Sequence, residues 1–265
     1  MRTIITSLFL LLTGAAFGQS LWTSVPNFTF QKGEFLKYRV HYGLLNAGFA
    51  TMEVSPKSQH INGHRCMHIK GTGVTAGAFD LFYHCEDVYE TYVDEKTLLP
   101  IQFNRDIQEG DFESYTTIQF DHEQQKAIYT DRKKRVRQYD VPVGIQDVVS
   151  AFYFARTTTD HTRLKLGDKI SLRNFIDRKT FGLEAVLVKR ETIRVEGKKY
   201  KALKMKLLVE EAGLITDGSK IEFWISDDHN KIPLRIKSDL AIGSLKADLV
   251  EWRNLRHDFT ALVSR

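Results

Sequence analysis

Two sets of chain breaks with matching spacing constrain this sequence more than any other feature. Gly33, Gly63, Pro100 and Gly110 punctuate the first half; Gly167, Gly197, Pro233 and Gly243 punctuate the second. The intervals agree within one residue: 30 and 30 from the first glycine to the second, 67 and 66 to the proline, 77 and 76 to the last glycine. Between the breaks, polar and apolar residues alternate, rich in aromatic and β-branched types. That is the pattern of strands with one face on a core, joined by hairpin turns. The order of turns matches as well as their spacing. Asn62-Gly63 corresponds to Glu196-Gly197, and VYETYVDEKTLLPIQF to IEFWISDDHNKIPLRI. An internal duplication with a period near 134 residues follows.

One stretch breaks the strand pattern. GIQDVVSAFYFAR, residues 144–156, places Val148, Val149, Phe152, Tyr153 and Arg156 at helical spacing. It lies between the two copies and belongs to neither. Its apolar face of Val148, Val149 and Phe152 has to be buried, and the nearest surface is the β layer. Asp147 near its start and Arg156 near its end both suit the helix dipole. The expected fold is therefore all-β and mainly antiparallel, with one central connecting helix. The duplicated meander forms a large curved sheet that becomes a half-barrel or barrel, because long open edges invite aggregation. The helix across its concave side acts as a plug, above either a filled core or a lined cavity.

The N-terminus has the layout of a secretory signal peptide: Arg2, an apolar run from Ile4 to Leu12, then small residues ending at Ala16 and Gly18. The expected division is a signal peptide over 1–18, a lead-in over 19–29, a first β repeat over 30–143, the helix over 144–160, a second repeat over 161–256 and a tail over 257–265. The two repeats form one domain. The apolar run is too short to span a bilayer, which takes about 20 residues. With no cysteine beside the cleavage point, the expectation is a soluble periplasmic protein that is neither a lipoprotein nor membrane-spanning. Removal of Arg2 leaves 37 Lys+Arg against 33 Asp+Glu, a net charge of +4. That mild excess lacks the dense one-sided charge of a nucleic-acid binder.

Several side chains invite chemistry. Cys66 and Cys85 form an even pair in an exported chain, on consecutive expected strands; they read as a disulfide candidate, with free buried thiols as the alternative. In HRCMH, His64, Cys66 and His68 alternate onto one strand face, but the two histidines stand about 13 Å apart on an extended strand, too far for one metal. SDDHN, residues 226–230, offers carboxylates and an imidazole, yet its counterpart VDEKT is a plain charged turn. Neither is assigned a metal. The run Arg132, Lys133, Lys134, Arg135 and Arg137 is a solvated loop or a contact for anionic lipid or glycolipid headgroups. Phe79, Phe82, Phe152, Phe154 and Trp224 are candidates to line an apolar pocket. There is no nucleophile elbow, no H-E-x-x-H, no P-loop and no dinucleotide fingerprint, so no catalytic residue and no cofactor is assigned.

The sequence resembles the bacterial envelope family called domain of unknown function 3108. GEFLKYRVHYGLLNAGFATMEV, DVYETYVDEKTLLPIQF, IQDVVSAFYFAR and IEFWISDDHNKIPLRI carry the resemblance, from about Phe30 to Trp252. Gln146, Asp147, Ser150, Tyr153 and Arg156 on the helix are its most specific part. The resemblance implies an exported, mostly β protein and no particular activity. Three functions are therefore expected in order: a non-enzymatic carrier of a lipid or other amphiphile, an envelope scaffolding protein with a filled core that binds other envelope proteins, and an enzyme. A continuous apolar cavity beneath the helix distinguishes the first from the second.

Overall fold

The computed structural model describes residues 23–264 apart from 44, 212–213 and 241–242. The expected signal peptide lies outside the described residues. The first half forms β1 (Phe35–Tyr42), β2 (Leu45–Val54), β3 (Gln59–Ile61), β4 (His64–Thr75), β5 (Cys85–Asp94), β6 (Pro100–Glu109), β7 (Phe112–Asp121), β8 (Lys126–Asp131) and β9 (Val136–Asp140). Helix α1 (Val148–Thr158) follows. The second half forms β10 (Lys169–Ile176), β11 (Lys179–Val195), β12 (Lys198–Glu211), β13 (Leu214–Ser226), β14 (Pro233–Asp239), β15 (Ser244–Arg253) and β16 (Leu262–Ser264).

Alternation produces these strands one face at a time. Along β6, Ile101 and Phe103 are buried while the intervening Gln102 is not. Tight turns fix the register. Asn62-Gly63 and Glu196-Gly197 each have both residues at positive φ, 49° and 82° against 47° and 78°. That is the backbone a two-residue hairpin turn needs to match strand twist. The pairs flanking them are Ile61 with His64 and Val195 with Lys198. The two halves repeat in space as well as in sequence. β1, β2 and β4 start at Phe35, Leu45 and His64; β10, β11 and β12 start 134 residues later at Lys169, Lys179 and Lys198.

All strands join one sheet, ordered β10-β11-β12-β13-β14-β15-β1-β2-β4-β5-β6-β7-β8-β9, with β16 on β12 and β3 on β4. The halves meet where β15 pairs antiparallel with β1. Among the described residues the ladder does not close, so β9 and β10 are its two edges. The chain passes from one edge to the other through residues 141–168, and α1 lies on that passage. Its lead-in covers the β10 edge. Gln146 bridges Asn174 in parallel, donating its backbone N–H to Arg173 O and accepting from Phe175 N, both at 2.9 Å. The bridge takes up one carbonyl and one N–H on the outer side of that edge strand.

The helix fills one side of the concavity. Its Val149 and Tyr153 join a core with Phe30, Ile69, Phe103 and Ile118, all from the first half. On the second-half side, a smaller core of Leu187, Leu203, Met205 and Ile225 lines the sheet without reaching the helix.

Candidate functional site

The helix is held by its polar residues. Asp147 is the N-cap and accepts from Val149 N and Ser150 N at 2.8 Å, while Ser150 Oγ accepts from Asp147 N at 2.9 Å. This reciprocal cap satisfies donors the first turn leaves open. Thr91 Oγ1 of β5 donates to the other oxygen of Asp147 at 2.6 Å, tying the cap to the sheet. Burial pushes the Asp147 carboxyl up from its ordinary value, against the pull of these donors. At the other end the Arg156 guanidinium makes a two-pronged pair with Glu34, 2.7 and 3.0 Å, both side chains buried. It also donates twice to Asn230 O in the β13–β14 turn, and Thr29 donates to Arg156 O. Burial alone would lower the guanidinium pKa; the Glu34 charge and hydrogen bonds outweigh it and raise it. Arg156 thus joins the start of β1 to the second half through the end of the helix. The deepest helix face is this polar one, with Ser150, Tyr153 and Arg156. The expected face of Val148, Val149 and Phe152 is only partly buried, because Val148 and Phe152 look into open space.

That space is a cavity of about 340 Å³, partly open to solvent. Val148, Phe152 and Ala155 form its helical wall. The sheet wall comes from the second half: Ile170, Ala185, Met205, Leu207, Ile221 and Phe223 are among its residues. The lining is almost wholly apolar. Two cations break it, Arg156 and Lys231. Arg156 is spent on Glu34 and Asn230. Lys231 is only 6% exposed, and its ammonium has no hydrogen bond or ion pair among the described residues. Burial, then the charge of Arg156, hold that ammonium below the ordinary lysine value, with Asp160 and Asp228 pulling the other way. The Lys231 backbone is left-handed at φ 48°, an uncommon conformation for a residue with a side chain. Asp228 imposes it by accepting from Asn230 N and Lys231 N. SDDHN is therefore a self-capped turn, as its counterpart is: Asp94 accepts from Lys96 N and Thr97 N in the same way. Leu98, left-handed at φ 57°, stands where Lys231 stands and is buried in the first-half core.

Of the aromatic residues expected to line a pocket, only Phe152 does. Trp224 lies on the opposite face of β13, under Lys204 and donating to Glu191 at 2.9 Å. Successive strand residues point to opposite faces, so its neighbour Phe223 is the one in the cavity. Phe154 packs against the first-half core. Phe79 and Phe82 sit in the β4–β5 loop, Phe82 being 89% exposed. The expected Cys66–Cys85 disulfide is absent: both thiols are free. Register explains this. Cys66 faces Asp94 at one end of the β4–β5 ladder, whereas Cys85 lies one position beyond the Val74–Glu86 pair at the other. Nine strand residues separate them along the ladder, about 30 Å. Burial pushes Cys66 up to about 12 and Cys85 up to about 11, favouring the protonated thiol in both. His64 and His68 each engage a carboxylate, Asp94 at 3.1 Å and Glu90 at 2.9 Å. Cys85, Asp87 and Glu109 bring a thiol and two carboxylates within 4.8 Å of one another; burial raises both Cys85 and Asp87, favouring their neutral forms. The basic run forms the β8–β9 turn. The cavity-lining Met205, Leu207, Ile221 and Phe223 were signalled by plain alternation in KMKLL and KIEFWI.

A single antiparallel sheet curled around a helix defines a β-barrel-like protein. A solved β-barrel-like protein of domain of unknown function 1849 from Brucella abortus has this fold: TM-score 0.57, 12% identity, covering 85% of this chain and 99% of that one. A protein with a YmcC-like fold from Bacteroides fragilis aligns over 86% of this chain and 98% of its own at 10% identity, but with a TM-score of 0.34. No curated protein matches the chain. The family model "Protein of unknown function (DUF3108)" matches residues 37–250, and the chain belongs to that family.

Proposed function

We propose that this protein is a non-enzymatic carrier of a single-chain amphiphile with an acidic head, working in the bacterial envelope after export. The observation that carries the reading is the apolar cavity between α1 and the second-half sheet. Its 340 Å³ is at the lower end of the range for small-ligand sites, about 300–1,000 Å³. That matches one acyl chain better than a two-chain lipid. The cavity is partly open to solvent, so its apolar lining can be reached by a ligand. A scaffold with a filled core has no use for it. Each methylene buried contributes about 0.8 kcal/mol. Lys231 supplies the polar end. Its ammonium lines the partly open cavity without a partner among the described residues, and a carboxylate brought by the ligand would pair with it.

The test is displacement of a fluorescent fatty acid from the full chain by unlabelled hexadecanoate, hexadecanol and hexadecylamine. Hexadecanoate displaces the probe best and the amine worst. Ala185→Phe, which projects a ring into the cavity, removes binding without lowering the melting temperature. Binding that ignores the headgroup, or survives Ala185→Phe, overturns the reading.

A further inference from the structure

An antiparallel meander sorts its turns between two ends of the sheet. One end, the rim, collects the turns β1–β2, β4–β5, β6–β7, β8–β9, β10–β11, β12–β13 and β14–β15. Its tips are apolar. Leu45, Leu81, Phe82 and Phe112 are 66, 85, 89 and 59% exposed. Leu81 and Phe82 stand side by side in the β4–β5 loop. Single exposed apolar residues are ordinary; a concentration of them at one end marks an interaction surface.

One part of that end is basic, while Asp80, Glu109 and Asp111 stand beside the apolar tips. The β8–β9 turn carries Arg132, Lys133, Lys134 and Arg135, all exposed. Beside it lies a groove of about 300 Å³, lined by Arg132, Lys133, Arg135, Arg137 and Arg178 together with Glu113 and Asp131. Arg132 pairs with Glu113, and Arg135 with Asp131 at 2.6 Å. Lys133, Arg137 and Arg178 remain as surplus charge, with Arg178 over the Tyr129 ring at 5.9 Å. The cavity also leads to this end. Lys231 lies at the far end, in the β13–β14 turn, while Leu183, Leu207 and Ile221 line it toward the rim.

We propose that the rim docks on an anionic lipid bilayer, with Leu81 and Phe82 entering the interface and the basic groove taking up headgroup phosphates. Apolar side chains flanked by lysine and arginine are what a negatively charged interface retains: burial holds the tips and surface potential holds the cations. Docking brings the rim end of the cavity toward the membrane, which shortens the path of an amphiphile between bilayer and cavity. That purpose rests on the carrier reading; the docking itself does not.

The test is co-sedimentation of the full chain with phosphatidylcholine vesicles, with and without phosphatidylglycerol. Variants are Lys133→Glu/Lys134→Glu and Leu81→Asp/Phe82→Asp. All keep the apolar run Ile4–Leu12, so differences between them report the rim alone. The wild type partitions onto phosphatidylglycerol vesicles, less so at high salt. Each double variant weakens this by at least about tenfold. Ala185→Phe leaves partitioning unchanged, which separates docking from cavity binding. Phe112→Ser serves as a second apolar variant should the Leu81/Phe82 pair fail to fold. Equal partitioning onto neutral vesicles, or partitioning unchanged in the rim variants, overturns the proposal.

Discussion

Arg156 concentrates the demands of this fold in one side chain. Its guanidinium satisfies Glu34 and the Asn230 carbonyl together, far from water. Breaking one side of a buried pair leaves an uncompensated charge, whereas replacing both sides with apolar groups is often neutral. Arg156→Met is therefore expected to cost about 3–5 kcal/mol in urea denaturation. Arg156→Met combined with Glu34→Leu is expected to be more stable than Arg156→Met alone. Lys231 gives a prediction of a different kind. Its free-state pKa lies below the ordinary 10.5, and a bound carboxylate raises it. Binding then takes up a proton between the two values, so fatty-acid affinity is flat below the free-state pKa and falls as pH rises through it. Lys231→Gln has weaker binding and no such fall. A titration across alkaline pH checks both. The sequence offered Arg156 as a dipole partner at a helix end and as part of the family's helix motif, with no partner for its charge. Its true partner is 122 residues away, and nothing local announces a pairing of that range.

The helix behaves as an anchored plug because its cap belongs to the sheet as well as to itself. Asp147→Ala removes the two cap bonds and the Thr91 tie, and is expected to cost about 2 kcal/mol, at the upper end of the usual range for caps. Thr91→Val, losing only the tie, costs less; thermal or urea melts rank the two. At this scale much was legible. Alternation located the strands, paired turn residues located the hairpins, and the break in alternation located the helix. Its position between the copies is physical: the passage from the last strand of one meander to the first of the next must cross the concave face. Two element-level expectations failed for reasons of register. Cys66 and Cys85 lie on consecutive strands as expected, but Cys66 pairs with Asp94, which puts the hairpin centre at residue 80 and the cysteines at opposite ends of the ladder. Trp224 is one of the aromatic candidates for the pocket, while strand parity assigns the cavity to its neighbour Phe223.

Across the whole molecule, two half-sheets with matching strand spacing are packed differently. The first half is filled: Val149, Tyr153 and Phe30 close it against the helix. The second half leaves a lined space beneath the same helix. The same left-handed turn position carries Leu98 in one copy, buried in the core, and Lys231 in the other, beside the cavity. Periodicity revealed the two copies, but the asymmetry between them depends on where a single helix settles, and that is set by Thr91, Glu34 and Asn230 together. The central claim is that the second-half cavity holds an acidic amphiphile. Native mass spectrometry of the protein purified gently from its own envelope fraction tests it most directly, alongside Ala185→Phe and a denatured control. The account predicts an added mass in the range of a single-chain lipid acid on the wild type, lost on denaturation and absent from Ala185→Phe. A bare wild-type mass, or the same adduct on Ala185→Phe, would contradict it.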